Sequence, residues 1–114
     1  DKYLLAICHG PAALLSAADC GDAEFPFKGD KINSFPDEMD KTLPESGYQP
    51  GEMPWFYGEK LKQLGVEILN KKIAGDCHVD RKLITGDSPL AADKFGKLCA
   101  DELLAHEKSK VENG

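Results

Sequence analysis

Apolar positions fall in short continuous runs, separated by stretches with helical spacing. Tyr3-Leu4-Leu5-Ala6-Ile7 is uninterrupted and does not alternate, the pattern of a strand buried on both faces. It stops at Cys8-His9-Gly10-Pro11, where Pro11 suits the first turn of a helix because its absent N–H costs nothing there. Ala12 to Ala18 read as a helix of small residues ending near Gly21. A second short strand is expected over Lys31–Phe35. The stretch 36–54 holds prolines at 36, 44, 50 and 54 and glycines at 47 and 51. No long helix survives that density, so the stretch reads as a structured loop or lid. Helical spacing returns over Trp55–Leu64, with Tyr57, Leu61 and Leu64 at i, i+4 and i+7, and Gly65 is the stop. Val66–Leu69 reads as a strand. Cys77-His78-Val79 and Leu83-Ile84-Thr85 flank Asp80-Arg81 and predict a hairpin. Asp87-Ser88-Pro89 is a helix start, a capping residue followed by Pro. Phe95, Leu98, Cys99 and Leu103 share one face of that helix, and the polar tail from Glu107 is expected to fray.

Strand and helix alternate through most of the chain, which predicts an α/β fold with a mostly parallel sheet and one hairpin. An opening strand buried on both faces needs a neighbour on each side, so the chain reads as part of something longer.

The 114 residues allow one domain with a core, and 41% hydrophobic and 30% charged residues suit a globular protein. No apolar run approaches the roughly 18–20 residues of a membrane span. The net charge is −6 and the densest basic stretch is Lys71-Lys72, which argues against binding to a phosphate backbone. Cys8, Cys20, Cys77 and Cys99 contain no C-x-x-C. Free thiols in a reducing, cytoplasmic compartment are expected, and no zinc site, since Cys77 and His78 are adjacent rather than spaced.

Ala6-Ile7-Cys8-His9-Gly10 matches a nucleophile elbow, small-x-nucleophile-x-Gly, with cysteine in the serine place. Such an elbow turns a strand abruptly into a helix and pushes the nucleophile out at the strand's carboxyl end. The helix N-terminus is expected to favour the thiolate. His9 is the candidate acid/base, and a carboxylate must orient it. Asp37, Glu38 and Asp40 all follow the second strand, with Asp37 best placed directly after Phe35-Pro36. A buried structural cysteine and a histidine that only packs are the bland alternatives.

Leu4 to Leu15, including Cys8-His9-Gly10-Pro11-Ala12-Ala13, resembles the cysteine elbow of the ThiJ/PfpI superfamily. Val79-Asp80-Arg81-Lys82-Leu83-Ile84-Thr85-Gly86 resembles its V-D-x-x-L-I-T segment. Phe35-Pro36-Asp37, Asp40-Lys41, Gly47-Tyr48, Pro50-Gly51 and Trp55 point to the HchA-type branch, described as heat-shock chaperones, glutathione-independent glyoxalases and protein deglycases. The resemblance covers residues 1 to about 105. It implies a flavodoxin-like sandwich of which residues 1–114 form the C-terminal part, with the elbow at 6–10 and the lid at 36–54. It also implies a Cys8–His9–Asp37 triad, with the His9 and Gly10 backbone as oxyanion donors.

The branch has a preceding half with the first strands, a glutamate beside the reactive cysteine and, in some members, a His/Glu/His metal site. None of these positions occurs in this sequence. The resemblance thus implies no organic cofactor, and a metal only in that N-terminal half. Its expected partners are a small 2-oxoaldehyde such as methylglyoxal or a glycated protein, unfolded polypeptides, the N-terminal half and a second copy in a homodimer. The rival readings are a holdase chaperone without turnover, using Met53, Trp55, Phe56 and Tyr57 as an apolar patch, and a cysteine peptidase or amidase on the same elbow.

Overall fold

A computed structural model describes residues 2–19, 24–47 and 50–113. Cys20, Gly21 and Tyr48 lie outside the described residues. The first strand, β1, is Leu4–Ile7, and Gly10–Asp19 follows as a 3₁₀ helix rather than an α-helix. Pro11 and Leu14 are buried along it, and this three-residue spacing matches the 3₁₀ period. After β2 (Lys31–Ile32) come a single-turn helix α1 (Asp37–Asp40), α2 (Tyr57–Gln63) and β3 (Glu67–Ile68). The predicted hairpin is β4 (Cys77–Asp80) and β5 (Leu83–Gly86). Arg81 takes a positive φ of 57° in its turn. The stretch 36–54 carries no helix longer than α1 among its described residues.

The strands form two small sheets, β1-β5-β4 and β2-β3. β1 runs parallel to β5, with Leu4 opposite Leu83 and Ile7 opposite Gly86, and β2 runs parallel to β3. The hairpin is the antiparallel pair. The V-D-x-x-L-I-T-G segment is this hairpin, and it ties the sheets together through side chains. The Lys31 N–H donates to Asp80 Oδ2 at 2.7 Å and the Asn33 N–H to Thr85 Oγ1 at 2.9 Å. Asn70 extends the link by clamping Ser34, accepting from its N–H and donating to its carbonyl. The architecture is α/β with a mostly parallel arrangement, as expected.

Leu14, Ile32, Tyr57, Leu61, Val66 and Leu83 form the core. β1 departs from its predicted burial. Leu4 and Leu5 are 42% and 41% exposed. Among the described residues only β5 pairs with β1, which leaves its other edge open. The final helix, α3, runs Ala92–Asn113 without the predicted fraying at Glu107. Its inward stripe is half-buried at Phe95, Leu98, Glu102 and His106 and buried at Cys99, whereas Leu103 is exposed. A side chain at Gly86 would press on Ile7 and Phe95, at 3.2 Å from each, so this glycine lets α3 close onto β1 directly behind the elbow.

Candidate active site

β1 delivers Cys8 to the carboxyl end of the sheet, and the backbone then reverses at Cys8 itself. Its φ is +63°, a left-handed conformation that costs a non-glycine residue about 1–3 kcal/mol and persists only when its surroundings over-determine it. Three hydrogen bonds do so. The Cys8 N–H donates to the Gly86 carbonyl at 2.9 Å. The Cys8 carbonyl accepts from the Phe35 N–H at 2.8 Å and from the Tyr57 hydroxyl at 3.3 Å. That hydroxyl also bonds the Phe35 carbonyl. Burial pushes the Tyr57 phenol far up from its ordinary range, so Tyr57 stays a neutral donor.

The His9 ring stacks on Phe35 at 4.4 Å between centroids and meets Tyr57 edge-on at 5.9 Å. Its Nδ1 lies 3.4 Å from Cys8 Sγ. Its Nε2 lies 2.7 Å from Asp40 Oδ1. A carboxylate accepts, so Nε2 carries the ring proton and Nδ1 turns its lone pair toward the sulfur. An imidazole held this way can take the thiol proton.

Asp37, the expected partner of His9, is elsewhere. Its carboxylate accepts from the Gly58 N–H at 3.0 Å and the Glu59 N–H at 2.9 Å, at the start of α2. The reason lies in α1. Pro36 starts the turn and leaves Asp37 as its first residue. Asp40 comes three residues later and takes a different neighbour. Asp40 is 1% exposed, and its Oδ2 has no hydrogen-bond partner among the described residues. The signal was present in the sequence as a second acid at i+3 in Phe35-Pro36-Asp37-x-x-Asp40.

The electrostatics of the thiol also differ from expectation. Burial pushes Cys8 up, the His9 backbone N–H pulls it down, and Asp40 and Asp87 push it up further. Desolvation outweighs the pull of the His9 N–H. Burial raises Cys77 and Cys99 too. What sets Cys8 apart is the adjacent imidazole.

Cys8 and His9 open onto a cavity of about 360 Å³ with apolar walls from Phe35, Met39, Leu43, Ile73, Pro89 and Leu90. His9 also lines a second hollow of about 410 Å³, with Ala12, Met53, Trp55 and Tyr57. Tyr57 is core, whereas Trp55 is 47% exposed. Asp87 braces the loop that follows Ile73 in the first cavity's lining. Fully buried, it accepts from the N–H groups of Ala74, Gly75 and Asp76 at 2.9–3.2 Å and from Ser88 Oγ at 2.8 Å. The helix cap expected from Asp87-Ser88-Pro89 is made by Ser88, whose Oγ accepts from the Leu90 N–H. No group of three or more metal-ligating side chains occurs among the described residues, and no helix among them is long and apolar enough to cross a membrane.

No protein-family model matches the chain. Among curated proteins, a protein/nucleic acid deglycase HchA of Escherichia coli O139:H28 is 50% identical over 105 residues, 92% of this chain and 36% of the relative. Protein/nucleic acid deglycase 1 of Escherichia coli K12 matches at the same identity and coverage. The chain is HchA-like over 105 residues. It spans about a third of the length of these HchA relatives. Among solved structures, one crystal structure superposes with a TM-score of 0.73 at 27% identity, covering 91% of this chain and 45% of its own. A match of that length takes in the acidic turn of α1 and the hairpin.

Proposed function

We propose that this HchA-like segment carries the reacting thiol of a glutathione-independent glyoxalase or protein deglycase, with Cys8 as nucleophile, His9 as its base and Asp40 orienting His9. The observation that carries the reading is the chain of contacts from Cys8 Sγ through His9 to Asp40, 3.4 Å and 2.7 Å long, at a strained elbow facing an apolar cavity. The 50% identity to proteins named deglycases supports it.

In this reading the Cys8 thiol gives its proton to His9 Nδ1 and the sulfur bonds to the aldehyde carbon of a 2-oxoaldehyde. The carbonyl oxygen takes up the proton, forming a hemithioacetal, with the His9 and Gly10 backbone beside it as the oxyanion donors. Loss of the proton on that carbon and its return to the neighbouring carbon, through an enediol, make a thioester and a secondary alcohol. Water cleaves the thioester, releasing a 2-hydroxy acid and restoring the thiol. His9, or a carboxylate outside this sequence, handles the carbon-bound proton. A deglycase starts from the adduct the same aldehyde forms on a protein amine or thiol. Cys8, Cys77 and Cys99 are free thiols, which supports work in the reducing cytoplasm.

The test is turnover of methylglyoxal to lactate by the full-length protein without glutathione. Cys8→Ala should abolish it. If Cys8→Ala keeps wild-type turnover, the reading fails. If the wild type only suppresses client aggregation, the holdase reading replaces it.

A further inference from the structure

The single turn α1 raises a mechanical question. Four residues cannot hold a helix by their own hydrogen bonds, because nucleation costs more than one turn returns. Its N-cap, Pro36, supplies no side-chain cap. Yet this turn carries Asp40, whose 2.7 Å contact sets the orientation of His9.

What fixes it is Asp37. Its two carboxylate oxygens take the Gly58 and Glu59 N–H groups, at 3.0 and 2.9 Å. These are among the first N–H groups of α2, which its own N-cap Phe56 leaves without a side-chain partner. Gly58 makes the approach possible. A Cβ there would lie 2.7–2.9 Å from the Asp37 carboxylate, closer than packing permits. The start of α2 is in turn anchored to the elbow, because Tyr57, the residue before Gly58, donates its hydroxyl to the Phe35 and Cys8 carbonyls. A closed loop of contacts results, running from the elbow to Tyr57, from Gly58 to Asp37, from Asp40 to His9 and back to Cys8.

We propose that Asp37 is a positioning residue for the reacting thiol: by clamping α1 onto the start of α2 it sets where Asp40 meets His9, and Gly58 is the space that the clamp requires. The proposal rests on the reading of Cys8, His9 and Asp40 as the reacting set. Asp37 touches no reacting atom itself. Asp37→Asn keeps the side chain's size but turns one acceptor into a donor facing an N–H. Gly58→Ala keeps the carboxylate and displaces it.

The experiment follows the pH dependence of Cys8 alkylation by iodoacetamide in the full-length protein, with thermal melts to confirm folding. The wild type is compared with Asp37→Asn, Gly58→Ala, Asp40→Asn and the double variant Asp37→Asn/Asp40→Asn. The expected result is a midpoint displaced by about half a pH unit in both Asp37→Asn and Gly58→Ala, a roughly threefold change in thiolate fraction. The displacement should share the direction seen in Asp40→Asn and add nothing in the double variant, as for residues acting through one another. A folded Asp37→Asn protein with an unmoved profile would mean that Asp37 only caps α2. A displacement that persists undiminished on the Asp40→Asn background would also overturn the proposal. If Asp37→Asn fails to fold, Gly58→Ala decides by the same two readouts. Failure of the wild type to turn over methylglyoxal would sink the glyoxalase reading alone, since the labelling profile does not depend on turnover.

Discussion

The His9 imidazole is held at both nitrogens, with Asp40 Oδ1 2.7 Å from Nε2 and Cys8 Sγ 3.4 Å from Nδ1. The carboxylate fixes which nitrogen carries the proton, and so which one is left to face the sulfur. Asp40→Asn keeps the shape but can present an amide N–H to Nε2, favouring the wrong tautomer. Turnover should fall by roughly 10²-fold or more. The melting temperature and substrate turnover, measured on the same preparation, separate this from simple destabilisation. Turnover within about twofold of wild type would mean that Asp40 does not orient the base.

Cys8 should alkylate ahead of Cys77 and Cys99, although burial raises all three thiols. Among the described residues, the imidazole contact found at a thiol is that of His9 Nδ1 with Cys8 Sγ, which can take its proton. Iodoacetamide labelling of native protein at pH 7, mapped by mass spectrometry, should give Cys8 first. His9→Ala should erase the preference. Earlier labelling of Cys77 or Cys99 would contradict the geometry.

The raised Tyr57 phenol gives the fold an alkaline weakness. Its ordinary value is 10.0 and the folded value lies well above it, with burial the leading cause. Below pH 10 both states keep the proton and the stabilisation is fully present. Above pH 10 the unfolded chain loses the proton while the folded chain keeps it, so stability falls as pH rises. Tyr57→Phe should flatten that decline. It should also cost about 1–2 kcal/mol at neutral pH, because the Phe35 carbonyl loses the Tyr57 hydroxyl and the Cys8 carbonyl keeps only the Phe35 N–H. Urea melts between pH 7 and 11 measure both effects.

β1 presents Leu4 and Leu5 on an edge that no described strand covers. An open apolar edge invites pairing with another chain. The 114-residue chain expressed alone should aggregate or stay partly molten. Leu4→Lys should lower light scattering during refolding. A soluble monomer with a sharp melting transition would show that this edge needs no cover.

The hairpin at Asp80-Arg81, a helix within Trp55–Leu64 (observed at Tyr57–Gln63), the elbow at Cys8-His9-Gly10 and the irregular stretch 36–54 were all legible in the sequence. Each rests on local physics. Turn residues, helical spacing, a proline-compatible first turn and the density of helix breakers act over a few residues. The proposed chemistry starts from the same kind of signal, since a cysteine between small neighbours after an apolar run is a local signature. Tertiary structure alone decided which acid meets His9. Asp37 and Asp40 differ by one turn, and the choice depends on where α2 passes, which Gly58 and Tyr57 determine from some twenty residues downstream. It also decided the protonation balance of Cys8. Burial and the carboxylates of Asp40 and Asp87 outweigh the His9 N–H that pulls the thiol down. The exposure of Leu4 and Leu5 is likewise nonlocal, because an apolar run specifies a strand but not what lies along its edge.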